Sequence, residues 1–282
     1  MAATYRMEPR LAASDALLSR WGPWQNAAGL LQAVPEVVEG IVLVVGDVRS
    51  GGLGALQAGA HAVRVDPGTP GGASLVLSVE ACRELPLASA AALFGEDDFG
   101  RRIWFYHHLR PRLDDRTRTF WDERERWIRL GLTGAGLFEQ RLDRLRSIWR
   151  LGSGRRRLAV QARAVTAAWG RGASVDRARW SVADPWVHAL RTGRAPGLSA
   201  ATHAAARSGG LECTPGGADV VWLGDLLDGP DAPEWKTLPP VAVGWTVRDE
   251  LPEVPSGWQM TAVRVAEDCP LVRSGFVLRR GP

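Results

Sequence analysis

The sequence predicts an α/β fold: a Rossmann-like sheet split in sequence by a mainly helical insertion. Three observations predict it. Ile41-Val-Leu-Val-Val45 is a continuous apolar run, the pattern of a strand covered on both faces. A glycine-rich stretch from Gly46 to Gly54 follows, and a second short run, His61 to Val65, ends at Asp66. Strand character then returns late, from Ala218 onward, beyond a long stretch that reads as helical.

In chain order, residues 14–33 read as a helix broken at Pro23, with Leu17, Leu18, Trp21, Trp24, Leu30 and Leu31 as its apolar positions. The first strand follows, then a turn over 46–54 and a short helix. After the second strand, Gly and Pro over 67–72 make a loop, and a helix runs over about 73–85. Within the insertion, Gly131 and Gly134-Ala-Gly136 divide the stretch from Arg116 to Arg150 into two helices, and a third covers about 155–169. Phe120, Trp121, Trp127, Ile128 and Leu130 recur at helical spacing and read as core. Four late strands are expected at Ala218–Leu223, Val241–Val247, Gln259–Val265 and Gly275–Arg279. The organisation is then an N-terminal helical segment (1–35), a first half-sheet (36–98), the insertion (99–207) and a second half-sheet (208–282).

At 282 residues, 45% apolar and 23% charged, the chain is globular, which excludes a disordered tail, a collagen-like fibre and a disulfide mini-protein. Its charge is uneven. Of 35 basic residues only Lys236 is lysine, and residues 101–163 hold 17 arginines against seven acids, a net of +10. Two readings stand: a surface for phosphate, carboxylate or anionic lipid, or solvated helix faces with i,i+4 pairs. A charge confined to one insertion argues against nucleic acid as the partner. Cys82, Cys213 and Cys269 are far apart and no CxxC or HxxxH spacing exists, so neither a metal site nor a disulfide framework is expected. The N-terminus lacks an apolar signal-peptide core, and no apolar run approaches the ~20 residues of a bilayer span. A cytoplasmic protein with at most peripheral membrane contact is the expectation.

Strand, glycine-rich turn, helix, strand and acid form the first half of a nucleotide-binding βαβ unit. Glycines allow close backbone approach to a ligand, and an acid at the tip of the second strand can take both ribose hydroxyls.

On this frame the chain resembles the S-adenosylmethionine:diacylglycerol 3-amino-3-carboxypropyl transferases of betaine-lipid synthesis. The similarity runs from about residue 19 to 165 and more faintly from 218 onward. It rests on the glycine turn, on the run from Asp66 through Arg83-Glu-Leu85 to Leu93-Phe-Gly95, and on Tyr106 with Leu109-Arg-Pro-Arg-Leu113. Phe120-Trp-Asp122, Ile128, Gly131, Gly136-Leu-Phe-Glu139, Leu142 and Arg146 continue it. Late in the chain, Trp222-Leu-Gly-Asp-Leu-Leu-Asp228 is similar to the family's leucine-serine-aspartate strand end.

The resemblance implies a class I methyltransferase-type fold and binding of S-adenosyl-L-methionine at the carboxyl ends of the strands. It also implies transfer of the 3-amino-3-carboxypropyl arm to a hydroxyl acceptor, a diacylglycerol-type lipid or a small molecule, with no metal. Several positions depart from the family. Arg49 stands for a turn glycine, Gly68-Thr-Pro-Gly71 for asparagine-proline-alanine-glutamine, and Val76 and Ser78 for a glutamate and a lysine. Trp24-Gln-Asn26 replaces tryptophan-glutamate-aspartate. These departures leave open a non-catalytic relative, serving as a binding or partner subunit for a paralogue. An ordinary methyltransferase is a third reading.

The cofactor-binding candidates are Trp24, Gly46, Asp47, Ser50, Gly51, Asp66 and Pro67. Asp66 reads as the ribose acid or as a loop cap, and Gly46, Asp47, Ser50 and Gly51 as neighbours of the amino-acid arm or as turn chemistry. The catalytic candidates are Asp225, Tyr106 and His107. Asp225 either orients the acceptor or caps the next helix. His107 and His108 are a base or phosphate contact, or helix-surface residues. Glu96, Asp97 and Asp98 read as a helix cap, and Arg155-Arg-Arg157 as a headgroup contact or a helix start.

Overall fold

The computed structural model describes residues 23–46, 48–96, 99–132, 198–214, 216–224, 235–246, 251–263 and 274–281. Its centre is a seven-stranded sheet. Helix α1 (Pro23–Gln32) precedes strand β1 (Ile41–Val44), α2 (Val48–Gln57), β2 (Ala62–Arg64) and α3 (Pro70–Glu84). A run of short helices follows: α4 (Leu87–Ala91), a π-type turn (Ala92–Glu96), α5 (Phe99–Leu109), a 3-10 turn (Arg110–Arg112), α6 (Asp115–Asp122) and α7 (Glu125–Leu130). The chain returns through α8 (Ala200–Ser208) to β3 (Gly210–Glu212), β4 (Val220–Gly224), β5 (Val241–Thr246), β6 (Trp258–Val263) and β7 (Ser274–Arg280).

The strand order is β3-β2-β1-β4-β5-β7-β6. The first five strands in that order are mutually parallel. Strand β7 runs antiparallel to both β5 and β6, so it alone is reversed. The expected α/β class is present as a mixed seven-stranded sheet, consistent with a Rossmann-like fold, and described helices lie between its early and late strands in sequence. Strand β3 was not expected: Gly-Leu-Glu is too short to show alternation, and its parallel pairing with β2 makes it a strand. Helix α8, which the sequence boundary at 207 assigns to the insertion, contacts α2 and α3 and leads directly into β3. A break at Glu123–Arg124 divides α6 from α7 well before Gly131.

Alternation along the strands separates two cores. Val42, Val44, Val63, Val220, Trp222, Val243 and Trp245 join the large core shared with the helices. Val221, Leu223, Ala242, Phe276 and Leu278 point to the other face, where Leu238 packs and Trp235, Trp258 and Met260 lie against them. The β1–β4 register is set at its start: Asp219 Oδ2 accepts from Ile41 N–H at 2.8 Å.

Helix α2 is the most confined element. Every residue from Val48 to Leu56 is buried. Its glycines sit inside the helix rather than in a turn before it, which corrects the expected glycine turn over 46–54. A β-carbon on Gly51 would lie 2.1 Å from the Trp222 ring, and one on Gly54 would lie 2.7 Å from the Ala27 β-carbon. These glycines therefore admit β4 and α1 at close range. Gly51→Ala is expected to destabilise by about 1–3 kcal/mol through overpacking. Gly29→Ala, in helix α1 with nothing within 4 Å, is expected to stabilise by about 0.5–1 kcal/mol from helix propensity. Urea unfolding midpoints check both signs.

Candidate functional site

The carboxyl ends of β1, β2 and β4 converge where the strand order changes direction, between β1 and β4. Gly46 is buried there, and the amides of Val45 and Gly46 donate to the Trp222 carbonyl at 3.1 and 3.4 Å. Ser50 and Gly51 are buried on α2. The Gly51 position is filled by the Trp222 indole, so this glycine serves packing and not the ligand approach expected of it. Asp47 and Asp225 lie outside the described residues, as does the side chain of Trp24.

Asp66 follows β2 with an exposed side chain. Its Oδ1 accepts from Gly68 N–H at 2.8 Å, an Asx-type turn, and Arg116 Nη1 approaches the same oxygen at 3.9 Å. Thr69 caps α3 by accepting from Gly72 N–H, and Pro70 occupies the first turn. The loop that departs from the resembled family is thus a helix cap, and Asp66 both braces it and offers a carboxylate to solvent. Pro67 is buried beneath it.

Beside this loop lies a cleft of about 470 Å³, with Pro67, Gly68 and Pro70 on one wall and Arg116, Phe120 and Arg124 on the other. Helix α6 presents the second wall, and Asp114 starts it by accepting from the amides of Arg116 and Thr117. The Arg124 guanidinium stacks on Phe120, 4.3 Å from the ring centroid. The sequence pattern places Phe120 in the core and the arginines in a charged segment. The i,i+4 spacing of Arg116 and Phe120 was the available signal for a shared face, which Arg124 joins from beyond the end of α6.

Tyr106 bridges two helices. Its ring is buried and its hydroxyl donates to Asp122 Oδ1 at 2.7 Å. Arg110 holds both oxygens of Asp122, at 2.8 and 2.6 Å. Burial, and then the Asp122 contact, push the phenol above its ordinary range. The Arg110 bond holds the Asp122 carboxyl down at about 2. Tyr106 therefore stays protonated at neutral pH and joins α5 to α6. His107 is exposed, with its ring tilted against Tyr106 at 5.6 Å, and it lines neither this cleft nor the second one described below. His108 stacks on the exposed Trp104. Both histidines are surface residues.

Arg49 is buried in the first turn of α2. Its Nη1 donates to the Leu132 carbonyl at 2.5 Å and its guanidinium lies over Phe94 at 5.8 Å. Leu93, Phe94, Gly95 and Gly131 meet at the same place: Leu132 N–H donates to the Leu93 carbonyl at 3.1 Å, and Gly131, at φ +86°, abuts Gly95.

Much of the described arginine charge is used internally. Arg102 binds the carbonyls of Ala92, Gly95 and Arg129, Arg112 pairs with Glu84, and Arg118 binds the Leu113 carbonyl. The expected i,i+4 pairing occurs at Arg129–Glu125. The Cys82 thiol is buried, which pushes it up to about 12. Among the described residues there is no cluster of three or more metal-ligating side chains, and no helix is long and apolar enough to cross a membrane.

No protein-family model, curated protein or solved structure matches the chain.

The Tyr106–Asp122–Arg110 contact sets an acid limit. Because the folded carboxyl lies below its ordinary value of 3.8, its stabilisation is present above about pH 4 and fades as pH falls toward 2. Asp122→Asn is expected to flatten that part of the stability–pH curve. Tyr106→Phe is expected to cost about 1 kcal/mol. A double-mutant cycle by urea unfolding at pH 7 should return a coupling of about 0.5–1.5 kcal/mol.

Proposed function

We propose that the chain is an S-adenosyl-L-methionine-dependent transferase of the 3-amino-3-carboxypropyl type, acting on a hydroxyl acceptor that is a diacylglycerol-type lipid or a small molecule. One observation carries the reading: Asp66 presents an exposed carboxylate at the tip of β2, next to the β1–β4 switch point where open α/β sheets bind ligands. The strand order, with β7 as the single reversed strand, supports a class I methyltransferase-type sheet. The residues of the resemblance also meet in space, as Tyr106, Arg110 and Asp122 in one contact and Leu93, Gly95 and Gly131 in another.

The fit to the cofactor differs between its two ends. At the ribose end, Asp66 has a carboxylate oxygen beyond the one used by Gly68, and Asp66 and Pro67 would hold the nucleoside. At the amino-acid end, Gly46 closes β1, while Ser50 and Gly51 are packed against the sheet. The bound cofactor supplies an activated carbon beside its sulfonium. The chain's own task is to orient the acceptor hydroxyl and take up its proton, and this reading assigns that role to Asp225.

Arg49 favours a second reading, a non-catalytic relative acting as a partner subunit. Its guanidinium ties α2 to Leu132 where the resembled family has a glycine, and a sulfonium gains nothing from a nearby cation.

Calorimetry with S-adenosyl-L-methionine separates the readings. The transferase reading expects binding, weakened at least about tenfold in Asp66→Ala by loss of a charge-assisted hydrogen bond. Incubation with lipid extract should then yield methylthioadenosine. Adenosylhomocysteine would instead indicate methyl transfer. Absence of binding in the wild type supports the partner-subunit reading.

A further inference from the structure

A second cleft, of about 440 Å³, lies at the opposite end of the sheet from the carboxyl tips of the parallel strands. The turn before β5 supplies Trp235 and Lys236, the loop before β6 supplies Pro255 and Ser256, and the paired residues Trp258 and Arg280 complete it.

The cleft is held in shape. Arg280 Nη2 donates to the carbonyls of Trp235 at 3.0 Å and Leu238 at 2.8 Å, which fixes the turn carrying Lys236. The same guanidinium lies 5.0 Å from the centroid of Trp258. The two indoles meet edge to face, with centroids 5.6 Å apart and planes at 62°. Arg280 is thus engaged with backbone and ring. Lys236 is exposed, makes no ion pair among the described residues, and is the one lysine in a chain of 34 arginines. Among the described residues no acidic side chain lines the cleft.

Among the described lining residues the walls are aromatic and the cations are two. Arg280 is held by Nη2 on carbonyls and by its plane against Trp258, whereas the Lys236 ammonium is held by no described side chain. Such a lining selects a flat apolar ligand bearing one negative charge. We propose that this cleft binds a planar aromatic carboxylate, with its ring against Trp235 and Trp258 and its carboxylate on the Lys236 ammonium. An arginine could not take that place equally, because its broad planar fork would itself stack on the indoles. The site is independent of the nucleoside reading.

Calorimetry on the full chain tests it, with indole-3-acetate as the probe and indole-3-acetamide as the uncharged control. Wild type should bind the acid about three- to fivefold more tightly than the amide, the scale of a partly exposed ion pair. Lys236→Met, which keeps the aliphatic stem, should bind the two equally with an unchanged melting temperature. Asp66→Ala should bind the acid as the wild type does, whatever it does to nucleoside binding. The proposal is overturned by absence of acid binding at millimolar concentration, by equal affinity of the wild type for acid and amide, or by a preference that survives in Lys236→Met.

Discussion

The close packing of α2 is the constraint on which the other elements depend. A helix buried all round must meet each neighbour without side chains that hold it at arm's length. Gly51 admits the Trp222 ring of β4, Gly52 admits Leu75 of α3, and Gly54 admits the backbone of α1. The same helix carries Arg49 into the junction with Phe94 and Leu132. Sheet, N-terminal helix, crossover helix and insertion therefore all take their positions from one ten-residue segment. Such interiors are dense enough that a single methyl group is felt.

The insertion solves a different problem. Short helices leave a large share of their carbonyls without intrahelical partners. Here guanidinium groups supply the missing donors. Arg102 gathers carbonyls from the π-type turn and the last turn of α7, Arg118 takes Leu113, and Arg124 takes Phe120 while covering its ring. A planar fork with five donors suits this task better than an ammonium. The arginine excess of the described part of the segment is thus largely structural, and the cations left facing the cleft are few.

The strands were legible because each is a short apolar run bounded by polar or glycine residues, and Ile41–Val44, Val220–Gly224 and Val241–Thr246 fall within a residue or two of their expected positions. Strand β3 was hidden, since three residues carry no period. The glycine-rich stretch was legible as a feature but not as a role: spacing cannot tell a turn that meets a ligand from a helix that meets a tryptophan, because the deciding residue, Trp222, lies far along the chain. The contact made by Tyr106 was hidden for the same reason; its partner Asp122 is 16 residues away and on another helix. Asp66 was legible from the end of β2, whereas the facing wall of Arg116 and Phe120 required knowing how α6 docks.

The placement of β7 also bears on how the chain is made. Strand β6 pairs with β7 and with no other described strand, and it precedes β7 in sequence. In the order of synthesis, β6 therefore precedes its one described sheet neighbour, and the outer edge of β5 stays open until the same strand arrives. Residues 274–280 act as the key strand of the sheet, set between two partners that are already synthesised. Until they are in place, the outer edge of β5 and both edges of β6 lack a described partner, the features that invite pairing with other chains. Sheet closure is in this sense a late event, imposed by the order of synthesis rather than by the strength of any one contact.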